Sequence, residues 1–310
     1  MSSSCSSPSS WFTFISCLTI FFLFSTSASF AAKPHRQLSV DYYAKSCPQL
    51  EKLIGSITSL QFKEAPVSGP ATIRLFFHDC FVDGCDASIT ITSQQGSKVL
   101  AEKDAPDNKD LRVEGFESAG GPYYQVKKGR WDGRVSMASR VASNIPQANF
   151  TVNQLLKLFN SKGLTLEDLV VLSGAHTFGY AHCQNFISRL YDYRGSKQPD
   201  PVMDPRLLRA LIMSCPQYGG NTDIVAPFDV TTPFAFDHAY YGNLEAKLGL
   251  LASDQALALD PRTKPIVQAF AKNKAQFFQA FGVAMEKMGS IGVKRGRKHG
   301  EKRKDCSMHM

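Results

Sequence analysis

Arg74 and His78 lie four residues apart in the run "IRLFFHDC". That spacing stacks two side chains on one face of a helix. A guanidinium one turn from an imidazole lowers the imidazole's pKa and leaves it neutral, ready to accept a proton. The apolar flanks disfavour solvent exposure, so a buried arginine and a histidine facing a cavity are expected. Taken alone, such a pair is more often structural. The loop that follows supplies Asp79, Asp83, Asp86 and Ser88, with Gly84 permitting a tight turn. Hard oxygens at short spacing suit calcium. The spacing is not that of an EF-hand, and an acidic surface turn fits equally well. A second histidine, His176, stands past an apolar run between Gly174 and Gly179. A lone histidine at a helix end is commonly a cap or a satisfied core residue. Asp229, Thr232 and Asp237 form another oxygen cluster in "FDVTTPFAFD", and Asp254 follows the apolar start of "LLASDQAL".

The elements that must carry these residues read as helices. "CPQLEKLIGSITSLQFKEA" has apolar residues at helical spacing, and the helix carrying Arg74 and His78 is expected to end near Cys80. "TVNQLLKLFNSKG" has a threonine start and a glycine stop. "TLEDLVVLSGAH" puts Glu167 and Asp168 in its first turn, where the helix dipole favours acids. "TKPIVQAFAKNKAQFFQAFGVAMEKMG" predicts one long helix or two. Strand signals are few and short, and no internal repeat occurs. A single mainly α domain is the expectation.

The 310 residues are long enough for such a domain to bury a real core. The net charge of +8 comes largely from the tail "VKRGRKHGEKRKDC". No interleaved basic and aromatic pattern occurs elsewhere, which argues against a nucleic-acid partner and for a solvated or wall-binding basic surface. Residues 1–32 contain no Lys, Arg, Asp or Glu. Their apolar stretch, followed by small residues, predicts a secretory signal peptide over 1–31 and a mature domain over 32–310. The stretch is too short for a comfortable membrane span, and nothing later reaches that length. Secretion makes cysteines readable as disulfides. Cys47, Cys80, Cys85, Cys183, Cys215 and Cys306 remain after the signal, and Asn149-Phe150-Thr151 is a glycosylation sequon.

Arg74-x-x-Phe77-His78-Asp79-Cys80, followed by Val82-Asp83-Gly84-Cys85-Asp86-Ala87-Ser88, resembles the distal haem motif of the secretory plant peroxidases, class III. "LSGAHTFG" resembles their proximal motif. "SVDYYAKSCPQLE", "AEKDAPDN", "FDVTTPFAFDHAYY", "GLLASDQAL" and "MGSIGVK" follow the family's order. The resemblance implies a mainly α fold with haem b between distal and proximal helical halves. It implies a monomeric, secreted enzyme of the cell wall that reduces hydrogen peroxide and oxidises small phenolic donors one electron at a time. His78 would then be the distal acid/base, Arg74 the distal cation, Asn108 the residue fixing the His78 tautomer, and Phe77 a pocket wall. His176 would be the iron ligand and Asp254 the acceptor of its second N–H. Pro146 matches the donor-contact position, although the family's usual second proline is Ala148 here. Two calcium sites are implied. The distal one draws on Asp79, Val82, Gly84, Asp86 and Ser88 with Glu102 nearby, and the proximal one on Thr177, Asp229, Thr232 and Asp237. The resemblance pairs Cys80 with Cys85 and Cys183 with Cys215.

The chain departs from the family at one place. Between "LRVEGFES" and "AGGPYYQVKKGRWDG" the family carries a further block with a core helix and two cysteines. Here Ser118 runs directly into Ala119. About 30 residues are missing, enough for a helix of several turns. So abrupt a join is what a skipped exon or a wrong exon boundary would leave, not gradual trimming. Cys47 and Cys306, whose partners the missing block carries, are then free or paired with each other. The competing expectation is a haem-free or inactive secreted protein that binds calcium or wall polysaccharide on a damaged peroxidase scaffold.

Overall fold

Thr151 and Thr165 open their helices by the same device. Each hydroxyl accepts the backbone N–H of the third helical residue, Gln154 or Asp168, whose own side chain accepts the threonine N–H. These capping boxes start the helices Val152–Ser161 and Leu166–Ser173 in the computed structural model, which describes residues 38–109, 121–221 and 223–308. The described chain is mainly helical. Its helices are α1 (Leu50–Glu64), α2 (Ser68–Phe81), α3 (Val152–Ser161), α4 (Leu166–Ser173), α5 (Ile187–Tyr191), α6 (Pro205–Ser214), α7 (Ala239–Glu245), α8 (Ala252–Leu259), α9 (Lys264–Lys272), α10 (Lys274–Met288) and α11 (Gly296–His299). Two short strands, β1 (Tyr180–His182) and β2 (Val225–Pro227), pair antiparallel with Ala181 opposite Ala226. The long periodic pattern near the C-terminus is two helices. They part at Asn273, whose side chain accepts the Gln276 N–H and so caps α10.

The larger core gathers around α4, whose Leu169, Val170, Val171 and Leu172 are all buried. Phe277, Phe281, Met285 and Met288 of α10 join the same core, and Lys287 of α10 reaches Asp168 at 2.8 Å. A smaller core packs Phe186 and Leu190 against Leu207 and Leu211 beside the Cys183–Cys215 disulfide. Arg189 is buried there without an orphan charge. It donates to Asp200 at 2.8 Å and to the Leu250 carbonyl at 2.8 Å. Cys80 and Cys85 are bonded across the loop after α2, while Cys47 and Cys306 carry free thiols. No helix among the described residues is long and apolar enough to cross a membrane.

One helix does not follow the burial rule. α1 has an apolar stripe at helical spacing yet no buried residue. Leu53, Ile54, Ile57 and Leu60 are 50%, 52%, 62% and 59% exposed. An amphipathic helix normally turns such a stripe toward a partner. Nearby, the α2 residues Gly69 and Ile73 line an apolar cavity with Gly121, Pro122, Tyr124, Phe178, Phe236 and Phe281. Gly121 is the first described residue after the 118–119 join. The join itself, and the signal peptide expected over 1–31, lie outside the described residues.

Candidate active site and calcium-type oxygen clusters

The face of α2 that bears His78 buries that residue to 6% exposure. Its Nδ1 lies 2.6 Å from Asn108 Oδ1. Asn108 ends a short 3-10 turn, Pro106–Asn108, and its amide nitrogen donates to the Glu102 carbonyl at 2.7 Å. That bond orients the amide, so its oxygen faces the ring and the Nδ1–H donates to it. Nε2 is left as the ring's basic nitrogen. Burial first, and the Arg74 guanidinium second, hold the imidazole down at about 4, against the opposing pull of Asn108 and Asp107. Phe77 lies beside the imidazole, edge-on at 5.9 Å.

Arg74 corrects the sequence-based expectation of a buried guanidinium. It shares the helix face with His78 but is exposed, and its Nη2 donates to the Asp107 carbonyl at 3.1 Å. A long side chain covers apolar surface with its stem while its charged head stays in contact with water. The main cause of the lowered His78 pKa is therefore burial, not the arginine.

His176 sits in a 3-10 turn, Gly174–Thr177, that continues α4. Gly174 makes this turn fit. A Cβ there would stand 2.3 Å from the Tyr241 hydroxyl and 2.7 Å from the Phe277 ring. His176 Nδ1 lies 3.0 and 3.1 Å from the two Asp254 oxygens. The Phe228 ring stacks on the imidazole at 4.2 Å and 7°. Nε2 is again the remaining ring nitrogen. The structure thus sets a histidine held by a neutral amide on α2 and a histidine held by a carboxylate after α4. Phe228 was not singled out from sequence, because "FDVTTP" reads there only as an oxygen cluster.

Pro146 is partly exposed in a segment tied at both ends. The Gln147 amide donates to Asp107 Oδ1 at 3.0 Å, and the Ala148 carbonyl accepts the Ser253 N–H at 2.9 Å. Asp107 and Ser253 adjoin Asn108 and Asp254, so this loop is braced against both histidine supports. Gln147 was also missed, since its partner lies 40 residues away. Asn149 is exposed.

The two oxygen clusters flank the histidines in sequence. Around the loop after α2, Asp79, Asp86, Ser88 and Glu102 are all buried. Asp79 Oδ1 and Glu102 Oε1 have no hydrogen-bond partner. Burial raises the Asp79 carboxyl to about 7 and the Glu102 carboxyl to about 8; the Asp86 charge adds to both, and the Asp79 charge to Glu102. Two buried acids with orphan oxygens are a site that fits a cation. Gly84 (φ +115°) has no room for a Cβ, which would meet the Gly292 backbone at 2.6 Å. The Lys294 ammonium, 3.5 Å from Asp86, supplies part of the positive charge. In the other cluster, Thr177 and Thr232 each approach Asp229 and Asp237 within 3.1–3.3 Å. Among the described residues no three His, Cys, Asp or Glu side chains gather into a metal cluster. Calcium at either place would rely on hydroxyl and carbonyl oxygens as well as carboxylates.

A stability prediction follows from the raised acids. In the cation-free fold Asp79 and Glu102 keep protons that the unfolded chain has already lost. Stability should therefore fall as pH rises from about 4 through about 8, and calcium should cancel the loss. Melting temperatures from pH 5 to 8, with calcium and with a chelator, measure this. The gap between the two curves is expected to widen with pH.

Comparison with known proteins finds similarity to peroxidases. The peroxidase family profile matches residues 56–118 and 113–273, two pieces that overlap over 113–118, directly before the 118–119 join. Peroxidase 19 of Arabidopsis thaliana is 57% identical over 318 positions, covering 92% of this chain and 92% of the relative. Peroxidase 55 of the same plant is 39% identical over 322 positions, covering 94% and 96%. Both alignments are longer than the 310-residue chain, so both open gaps on its side.

Proposed function

The chain belongs to the plant secretory peroxidase family, and on that premise we propose that it reduces hydrogen peroxide at a haem b held by His176 and takes electrons singly from small phenolic donors. It is a peroxidase. Relatives that carry that name match it over nearly its whole length, which disfavours the haem-free binding protein. The observation that carries the reading is the pair of differently supported histidines. A neutral amide on Nδ1 leaves His78 a neutral base. A carboxylate on Nδ1 makes His176 an electron-rich ligand.

Haem, when bound, would take up the two oxidising equivalents of peroxide and be returned to rest by one electron from each of two donors. The protein's work is positioning and proton movement. His78 Nε2 takes the proton from the oxygen of hydrogen peroxide that is to be retained and returns it to the oxygen that leaves as water. Asn108 fixes the tautomer that makes this transfer productive. The Arg74 guanidinium stabilises the negative charge that develops as the O–O bond breaks. Asp254 accepts the His176 N–H and holds the ring plane against Phe228. Phe77 walls the distal side, and Pro146 presents its carbonyl to the donor. Asp79, Val82, Gly84, Asp86 and Ser88 with Glu102 would hold one calcium ion beside His78, and Thr177, Asp229, Thr232 and Asp237 a second beside His176, each steadying the segment that carries its histidine. Residues 1–31 direct secretion to the cell wall, where the basic C-terminal segment meets wall polysaccharide. The block missing at 118–119 accounts for the exposed stripe of α1 and the two free thiols.

The pH dependence tests the distal assignment. With His78 at about 4, the rate of reaction with peroxide should stay level above that pH and fall below it, as protonation removes the base. Stopped-flow rates from pH 3 to 8 measure it, and a rate that rises on acidification would contradict the role. Asp254→Asn is expected to keep haem but raise the iron reduction potential, because a neutral amide donates less electron density through the imidazole.

A further inference from the structure

Asp254 has a second donor besides His176. The Tyr240 hydroxyl lies 3.0 Å from Asp254 Oδ1, one of the two oxygens that His176 Nδ1 faces. Tyr240 is 1% exposed, and its ring stands edge-on to the imidazole at 6.4 Å and 78°. Its place is fixed from two sides. Asp237 Oδ1 accepts the Ala239 N–H at 2.7 Å at the start of α7, and the Tyr241 ring packs against Tyr240 at 5.1 Å.

We propose that Tyr240 is a positioning residue for the peroxidase reaction: its hydroxyl, donating to Asp254, limits how strongly that carboxylate pulls on the His176 N–H and so sets the donor strength of the iron ligand. The inference rests on His176 being that ligand. A carboxylate that accepts a hydrogen bond shares its charge with the donor, and bonds in one buried chain alter one another's strength. Tyrosine, carboxylate and imidazole form such a chain. With the tyrosine donor gone, the full anionic charge of Asp254 falls on the His176 N–H. The imidazole becomes a stronger donor, and the oxidised iron is favoured.

The adjacent residue provides a matched control. Tyr241 is equally buried, but its hydroxyl donates to the Val170 carbonyl at 3.1 Å and is not bonded to Asp254. Tyr240→Phe and Tyr241→Phe each remove one buried tyrosine hydroxyl from the same helix. On the haem-loaded full chain, Tyr240→Phe is expected to move the ferrous iron–histidine stretching band to higher frequency and to lower the midpoint potential. Tyr241→Phe should leave both at the wild-type values. In the Asp254→Asn background, Tyr240→Phe should add no shift of its own. Where Tyr240→Phe fails to fold, 3-fluorotyrosine at position 240 keeps the side chain and strengthens the donor, and should move the band the opposite way.

An unmoved band in Tyr240→Phe, an equal shift in Tyr241→Phe, or an unmoved band with 3-fluorotyrosine would overturn the proposal while the haem spectrum stays normal. A chain that takes up no haem would instead overturn the ligand assignment beneath it, and the proposal with it.

Discussion

His78→Ala is expected to slow the reaction with hydrogen peroxide by at least ~10²-fold, the lower scale of positioned acid–base catalysis. The substitution removes the only group assigned to move the proton between the peroxide oxygens, and solvent is a poor replacement in a pocket where the imidazole is 6% exposed. Asn108→Ala should give a smaller loss in the same step, because the ring stays but its tautomer is no longer fixed by the 2.6 Å contact. Stopped-flow traces at matched haem occupancy separate this from haem loss. A His78→Ala rate near wild type would refute the proton role.

The second large effect concerns stability. Inserting a family-type block after Ser118 is expected to raise the melting temperature by about 10 °C or more. Four half-exposed Leu and Ile side chains on α1 returned to a core contribute about 3–6 kcal/mol together. Disulfides formed by Cys47 and Cys306 with cysteines of the block would add ~2–5 kcal/mol each. These sums are comparable with a whole domain's net stability of about 5–15 kcal/mol. The present chain should show both thiols, Cys47 and Cys306, to a thiol reagent. The extended chain should show neither. Equal melting temperatures with no reactive thiol in the present chain would mean that its exposed stripe and cysteines have found other partners.

Local signals in the sequence proved the most legible. Thr151 and Thr165 were legible as helix starts because a cap acts within the turn it opens, and the structure closes each into a capping box. The i, i+4 spacing placed Arg74 and His78 on one face, but spacing does not say how deep a face lies, and the arginine is exposed. The supports of the site were partly legible. Asn108 and Asp254 came through the family resemblance, and the structure sets them against the histidines at 2.6 and 3.0 Å. Phe228, Gln147 and Tyr240 act across long chain separations, and no periodicity or motif in their own segments reveals such a contact. α1 shows the converse limit. Its stripe predicts burial, and only the fold reveals that nothing among the described residues covers it.

The most direct test of the account is a haem titration of the full chain with calcium, followed in the visible spectrum and repeated on His176→Ala. One haem per chain is expected to give a Soret band that supports peroxide-dependent oxidation of a simple phenol. His176→Ala should hold haem weakly or not at all. A folded, calcium-binding chain that stays colourless, or a His176→Ala variant that binds haem and turns over as the parent does, would contradict it.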